Sequence, residues 1–132
     1  MVNIDANMEE LNIPQGYQRI MPYLIVNGAA KFFAFMQTVF GATEKVKVMR
    51  DGTRYMHAEL QIGSNTIMFT DATEEYPVQN AGLFIYVANC EATYQKALDN
   101  GATSIIEPTK QDYGTGAGIK DAFGNTWWIT QA

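Results

Sequence analysis

Apolar residues recur with two different periods along this chain, and the switches between them mark its elements. Arg19–Val26 crowds Ile20, Met21, Tyr23, Leu24, Ile25 and Val26 together, a density of β-prone side chains that predicts a strand. Pro22 restricts that strand to a sheet edge or places its start. Asn27-Gly28 closes it, and Asn27 is placed to cap the next element. Ala29–Phe40 carries Phe32, Phe33, Met36, Val39 and Phe40 at spacings of three and four, the apolar stripe of a helix, and Gly41 supplies a left-handed stop. The period then falls to two. Glu44–Met49 sets Val46 and Val48 against Lys45 and Lys47, Asp51-Gly52 is a tight-turn signal, Tyr55–Ile62 is a further strand, Gly63-Ser64 turns, and Thr66–Thr70 is the fourth strand.

After a polar linker, Ala72–Ala81, the order begins again. Gly82–Val87 reads as a strand and Glu91–Asn100 as a helix with Tyr94, Ala97 and Leu98 inward, stopped by Gly101. Ser104–Glu107 is a strand ended by Pro108, Lys110–Gly118 a glycine-rich loop at a pocket mouth, Ile119–Asp121 a short strand and Thr126–Thr130 the closing one. Gly114, Gly116 and Gly118 do not make a phosphate loop, because no Lys-Ser/Thr and no following helix complete one.

Two local matches share one offset. Phe40-Gly41-Ala42-Thr43 returns as Asn100-Gly101-Ala102-Thr103, and Asn65-Thr66-Ile67-Met68-Phe69-Thr70 returns as Asn125-Thr126-Trp127-Trp128-Ile129-Thr130, both sixty positions later. A repeat of that length is a supersecondary unit, and two copies can close one core. The predicted fold class is α+β, with two tandem βαβββ modules: about 18–71 and about 82–131, joined by linker 72–81, with 1–17 an N-terminal tail or arm. With 132 residues, the chain suits one domain rather than two independent cores.

Composition narrows the partners. The formal net charge of −5 and scattered Lys and Arg disfavour nucleic acid and anionic membranes. No apolar run approaches the roughly 18 residues of a membrane span. Met1–Leu11 is polar and acidic, without the apolar segment of a signal peptide, so a cytoplasmic location is expected. The single cysteine, Cys90, permits no intrachain disulfide and no CxxC site, and reads as a small residue at a strand–helix junction.

The element order β-α-β-β-β used twice, with Ile13-Pro14-Gln15-Gly16-Tyr17, Pro22-Tyr23-Leu24-Ile25-Val26, Phe40-Gly41-Ala42, His57-Ala58-Glu59-Leu60 and the closing Asp121-Ala122-Phe123-Gly124-Asn125-Thr126-Trp127-Trp128, resembles the glyoxalase/bleomycin resistance/dioxygenase (vicinal oxygen chelate, VOC) superfamily, in particular its PhnB-like branch. The resemblance covers roughly residues 13–131. It implies mixed sheets curled around a central cavity with helices outside, and a homodimer. It also implies four strand positions that hold one divalent ion in metal-dependent members, through His or Glu. Carried across, these fall on Met21, Met68, Leu83 and Trp128. A thioether is a soft donor, and Leu and Trp are not ligands. No metal and no cofactor are therefore expected.

Strand parity places Tyr55, His57, Glu59 and Gln61 on one face with Thr66, Met68 and Thr70, and Met21, Tyr23, Leu83, Ile85 and Trp128 around the same hollow. The expected ligand pocket is Met21, Tyr23, Tyr55, His57, Glu59, Met68, Leu83, Tyr113 and Trp128, with Trp128 as a stacking face and Tyr113 able to close over a ligand. His57 and Glu59, at i and i+2 of one strand, are the candidate acid/base pair. The first functional expectation is metal-independent binding of a small molecule, as in bleomycin-resistance proteins. The alternative is a superfamily lyase, isomerase or dioxygenase using His57 and Glu59 as catalytic residues.

Overall fold

A computed structural model describes residues 10–132, so most of the expected tail lies outside the described residues. The elements run β1 (Tyr23–Val26), α1 (Ala29–Phe40), β2 (Thr43–Met49), β3 (Tyr55–Ile62), β4 (Asn65–Asp71), β5 (Gly82–Tyr86), α2 (Cys90–Asp99), β6 (Thr103–Gln111), β7 (Gly114–Lys120) and β8 (Thr126–Gln131). They form two four-stranded sheets of identical order, β1-β4-β3-β2 and β5-β8-β7-β6. In each, the first strand lies parallel to the last and the rest is antiparallel. The two tandem βαβββ modules are thus present.

The offset of sixty extends further than the sequence match shows. Asp71, at the end of β4, accepts the Gly28 and Ala29 amides at the start of α1 at 3.1 and 2.9 Å. Its counterpart Gln131, at the end of β8, accepts the Cys90 amide at the start of α2 at 2.9 Å. Each module therefore caps its helix from its last strand, satisfying amide donors that have no partner within the helix. At α1 this replaces the expected cap from Asn27. Gly28 itself is the left-handed cap residue (φ 92°), and the acceptor arrives from β4.

One continuous core joins the modules. Leu24, Val26, Phe69, Ile67, Ala58 and Leu60 of the first sheet join Trp127, Ile129, Ile119 and Ala117 of the second in it, with α1 packed on β3 and β4 and α2 on β6, β7 and β8. The helices touch one another, and aromatic contacts cross between modules: Phe40–Trp127 at 4.7 Å and Phe32–Phe123 at 5.5 Å between ring centroids. Burying each such side chain contributes roughly 1.5–3 kcal/mol. The Asp121-to-Trp127 segment locks this junction. Asp121 accepts from the Phe123 and Asn125 amides on one oxygen, and from Asn125 Nδ2 and Trp127 Nε1 on the other, at 2.9–3.1 Å. Asn125 in turn accepts the Ala81 amide of the linker at 3.0 Å.

Three elements differ from the sequence expectation. β1 starts at Tyr23, because Pro22 has no amide for the ladder, although its carbonyl still accepts the Met68 amide at 2.9 Å. β6 continues through Pro108 to Gln111. It is the sheet edge, where a missing donor is tolerated, and its register shifts between Ile106 and Thr109. Gly114–Lys120 is a strand rather than a loop. Its glycines are demanded by neighbours: a Cβ on Gly118 would lie 2.7 Å from the Trp128 ring, and one on Gly114 would collide with the Gln131 carbonyl oxygen.

Candidate ligand-binding site

The outward face of the first sheet carries the chemistry. Glu59 pairs with Met68 across β3 and β4, and Met68 pairs with Tyr23 across β4 and β1, so these side chains share a face. A bulge in β2 between Glu44 and Val46 adds Lys45 beside Glu59. The segment before β1 folds over this face. Pro14 to Tyr17 forms a turn in which the Tyr17 amide donates to the Pro14 carbonyl at 3.2 Å. Gln18 then mimics a neighbouring strand: its Nε2 donates to the Thr66 carbonyl at 2.9 Å and its Oε1 accepts the Thr66 amide at 3.2 Å. Lys45 Nζ donates to the Gly16 carbonyl at 2.5 Å and lies 3.7 Å from the centroid of the Tyr17 ring.

The strap delivers Tyr17 to Glu59. The Tyr17 hydroxyl donates to Glu59 Oε1 at 2.5 Å, and His57 Nε2 meets Glu59 Oε2 at 2.6 Å. An ionised carboxylate only accepts, so Nε2 carries a proton. The other ring nitrogen, Nδ1, lies 3.4 Å from the Tyr23 hydroxyl. Glu59 is 6% exposed. Its burial pushes the carboxyl pKa up, but the Tyr17 and His57 hydrogen bonds and the charges of His57 and Lys45 outweigh that and hold it below the usual value. The same carboxylate, with burial, pushes the Tyr17 phenol up.

The nine expected pocket residues do not share one cavity. Met21, Glu59 and Met68 line a cavity of about 510 Å3 together with Tyr17, Leu11 and Ile13. Tyr23 lines a second, of about 520 Å3, with Arg50, Met56 and Tyr76. His57 stands between them through its two ring nitrogens. Tyr113 and Trp128 line a small cleft on the second sheet with Phe84 and Ile106. Leu83 lies in a further cavity at the junction of the modules, with Ile67 and Trp127.

Two placements depart from the expected parity. β5 pairs Leu83 with the core residue Trp127, and Phe84 with Trp128. Phe84 and Tyr86 therefore share the outward face of Trp128, while Leu83 and Ile85 pack inward. A one-residue offset exchanges the faces of a strand. Tyr55 also faces the helices, 6.2 Å from Phe69 between ring centroids. The register skips a residue of β3 between His57 and Tyr55, and this bulge at Met56 reverses the alternation. Tyr17, Lys45 and Arg50 were missing from the expected pocket. The Pro14–Gly16 turn ahead of an aromatic was the available signal for Tyr17.

The donor set does not fit the divalent ion of metal-dependent relatives. Met21 and Met68 present thioethers, Leu83 and Trp128 present no donor, and both Glu59 oxygens are already taken by Tyr17 and His57. Among the described residues no three His, Cys, Asp or Glu side chains gather as a metal site.

The duplicated fold and the wording of its turns are matched by a family profile described as glyoxalase/bleomycin resistance protein/dioxygenase superfamily, over residues 16–129. The chain belongs to this superfamily. An uncharacterized protein of Mycobacterium bovis is 28% identical to it over 124 residues, 85% of this chain and 82% of its own. A PhnB protein of Bacillus cereus superimposes with a TM-score of 0.69 at 14% identity, covering 87% of this chain and 100% of that one. TnmS3, an antibiotic-binding protein from a Streptomyces species, superimposes with a TM-score of 0.63 at 16% identity, covering 87% and 98%. At these identities the two structures show the fold alone. Among the described residues no helix is long and apolar enough to cross a membrane.

Proposed function

We propose that this superfamily member is a metal-independent small-molecule binding protein whose ligand occupies the cavity between the strap and the first sheet. The observation that carries this reading is the state of Glu59. It is the carboxylate of a cavity whose apolar wall is Met21, Met68, Leu11 and Ile13 and whose border also carries Arg19, and both its oxygens are engaged by protein donors. Such a site offers an adaptable apolar wall and a few fixed polar and charged groups, the usual make-up of a ligand pocket. The antibiotic-binding relative supports the same class of activity. The net charge of −5 suits a cytoplasmic protein that does not bind nucleic acid. The exposed Phe84, Tyr86 and Trp128 on the second sheet suit a homodimer that covers them, for which light scattering in solution is the test.

Elemental analysis and mass spectrometry of the purified protein test the main reading. The expected result is a substoichiometric metal content, an unchanged melting temperature in chelator, and a co-purifying or added small molecule that raises the melting temperature by mass action. Stoichiometric Zn, Ni, Fe or Mn that disappears in His57→Ala overturns it. The second reading, a lyase, isomerase or dioxygenase acting through His57 and Glu59, is favoured by their 2.6 Å contact, which would fix the imidazole tautomer and orient its second nitrogen.

A further inference from the structure

We propose that the cavity bordered by Tyr23 is a second binding site, selective for small carboxylate anions with an aromatic or apolar body. It measures about 520 Å3 and is lined by Tyr23, Ile25, Arg50, Met56, Thr70, Asp71 and Tyr76. Its walls are two phenol rings, a thioether and an aliphatic side chain, and its one cation is Arg50.

The Arg50 guanidinium is available to a ligand. It has five donors in a planar fork that matches a carboxylate. Its hydrogen bond within the chain runs from Nη1 to the Asp71 carbonyl oxygen at 3.5 Å, the outer limit of such a bond. The Asp71 carboxylate forms no ion pair with it. Its two oxygens are already engaged, one by the Gly28 and Ala29 amides and the other by the Tyr55 amide, at 2.6–3.1 Å. Arg50 makes no ion pair among the described residues.

The neighbouring cavity carries different charged groups. Glu59 borders the first cavity and not the second, and Arg50 borders the second and not the first. The first cavity sets Glu59, held by Tyr17 and His57, beside Arg19, whereas the second sets Arg50 beside an Asp71 whose two oxygens already accept backbone amides. Tyr23 adds a polar group at the far wall. Among the described residues its hydroxyl is committed only to the 3.4 Å contact with His57 Nδ1, a long bond that a ligand hydroxyl can share. The chemical class that satisfies these groups is an aromatic acid, anchored at Arg50, with a hydroxyl reaching Tyr23. The site stands apart from the Met21–Glu59–Met68 cavity, so either assignment can fail alone.

The experiment is a nitrogen-15 NMR titration of the full chain with 4-hydroxybenzoate as the probe, and with its neutral methyl ester as the control. Saturable shifts are expected at the Ile25, Met56 and Tyr76 amides and at Arg50 Nε. Arg50→Gln should weaken binding at least about tenfold, as should the ester, since a lost fork to a carboxylate is worth a factor of that order. Arg50→Lys should fall between. Arg50 is exposed, and an unchanged spectrum outside the site will show that the variants fold. No saturable shift at millimolar probe, or equal affinity in Arg50→Gln, overturns the proposal. Shifts confined to Met21, Glu59 and Met68 also overturn it, while upholding ligand binding in the first cavity.

Discussion

Tyr17 and Glu59, 42 positions apart, share a hydrogen bond of 2.5 Å that ties the segment before β1 to the middle of the first sheet. The bond links folding to pH at both ends of the scale. Glu59 titrates below its ordinary value in the folded chain. Its contribution is therefore complete above the unfolded value of about 4.3 and is lost as pH falls through the lowered one. Tyr17 titrates above its ordinary value, so its contribution is complete below about pH 10 and is lost as pH rises through the raised one. Tyr17→Phe should lower the melting temperature at neutral pH and move the Glu59 carboxyl pKa upward. The gap between wild type and variant should narrow in acid and in alkali. Melting curves across pH and carboxyl-carbon NMR of Glu59 check this. A gap that does not change with pH would show that the hydroxyl contributes packing only.

Asp121 holds four donors from three residues while 4% exposed. Asp121→Ala leaves the buried Trp127 indole and two amides without acceptors, at about 1–3 kcal/mol for each group left unsatisfied. Even with partial relaxation, the loss should exceed about 3 kcal/mol, read as a shift in the urea midpoint at unchanged slope. Asp121→Asn keeps the volume but swaps an acceptor for a donor facing donors, and should recover only part of the loss. If both variants unfold within about 1 kcal/mol of wild type, the turn is not what locks the module junction.

Gly118 and Trp128 face each other across β7 and β8, and the ring lies where a side chain on Gly118 would be. Gly118→Ala should cost about 1–3 kcal/mol through overpacking, or push the indole off the sheet. Tryptophan fluorescence in a Trp127→Phe background separates these outcomes. A displaced indole shifts its emission, whereas a strained but unmoved one lowers stability with the spectrum retained.

The repeat made the architecture legible, because two matches at one offset fixed equivalent strands, and parity then placed His57, Glu59 and Met68 on one face. What parity could not carry was any residue beyond a bulge or an uncertain strand start. One extra residue at Met56 turned Tyr55 inward, and one position of offset in β5 exchanged Leu83 for Phe84. β7 was hidden because its glycines oppose strand propensity, and their reason is a tertiary contact with Trp128 that no local pattern encodes. Tyr17 was hidden because its partner is 42 residues away, reached through a strap held by Gln18 and Lys45.

Asp71 and Gln131 offer a test of the duplication as an energetic fact. They occupy equivalent strand ends and serve the same end of their helices, but with unequal chemistry. Asp71 brings a charge and accepts three backbone amides, including that of Tyr55 at 2.6 Å. Gln131 is neutral and accepts one, and α2 has its own cap in Asn89, which accepts the Ala92 amide at 3.0 Å. A charged cap at a helix N-terminus is worth more than a neutral one through the helix dipole. Asp71→Ala should therefore cost about 2–4 kcal/mol, whereas Gln131→Ala should cost about 1 kcal/mol or less. The two sites are distinct, so the double variant should be additive within about 0.5 kcal/mol. Denaturant unfolding of the three variants measures all of this. Equal costs for the two single substitutions would mean that the charge on Asp71 contributes nothing, and that the first module relies on its aromatic core alone to hold the start of α1.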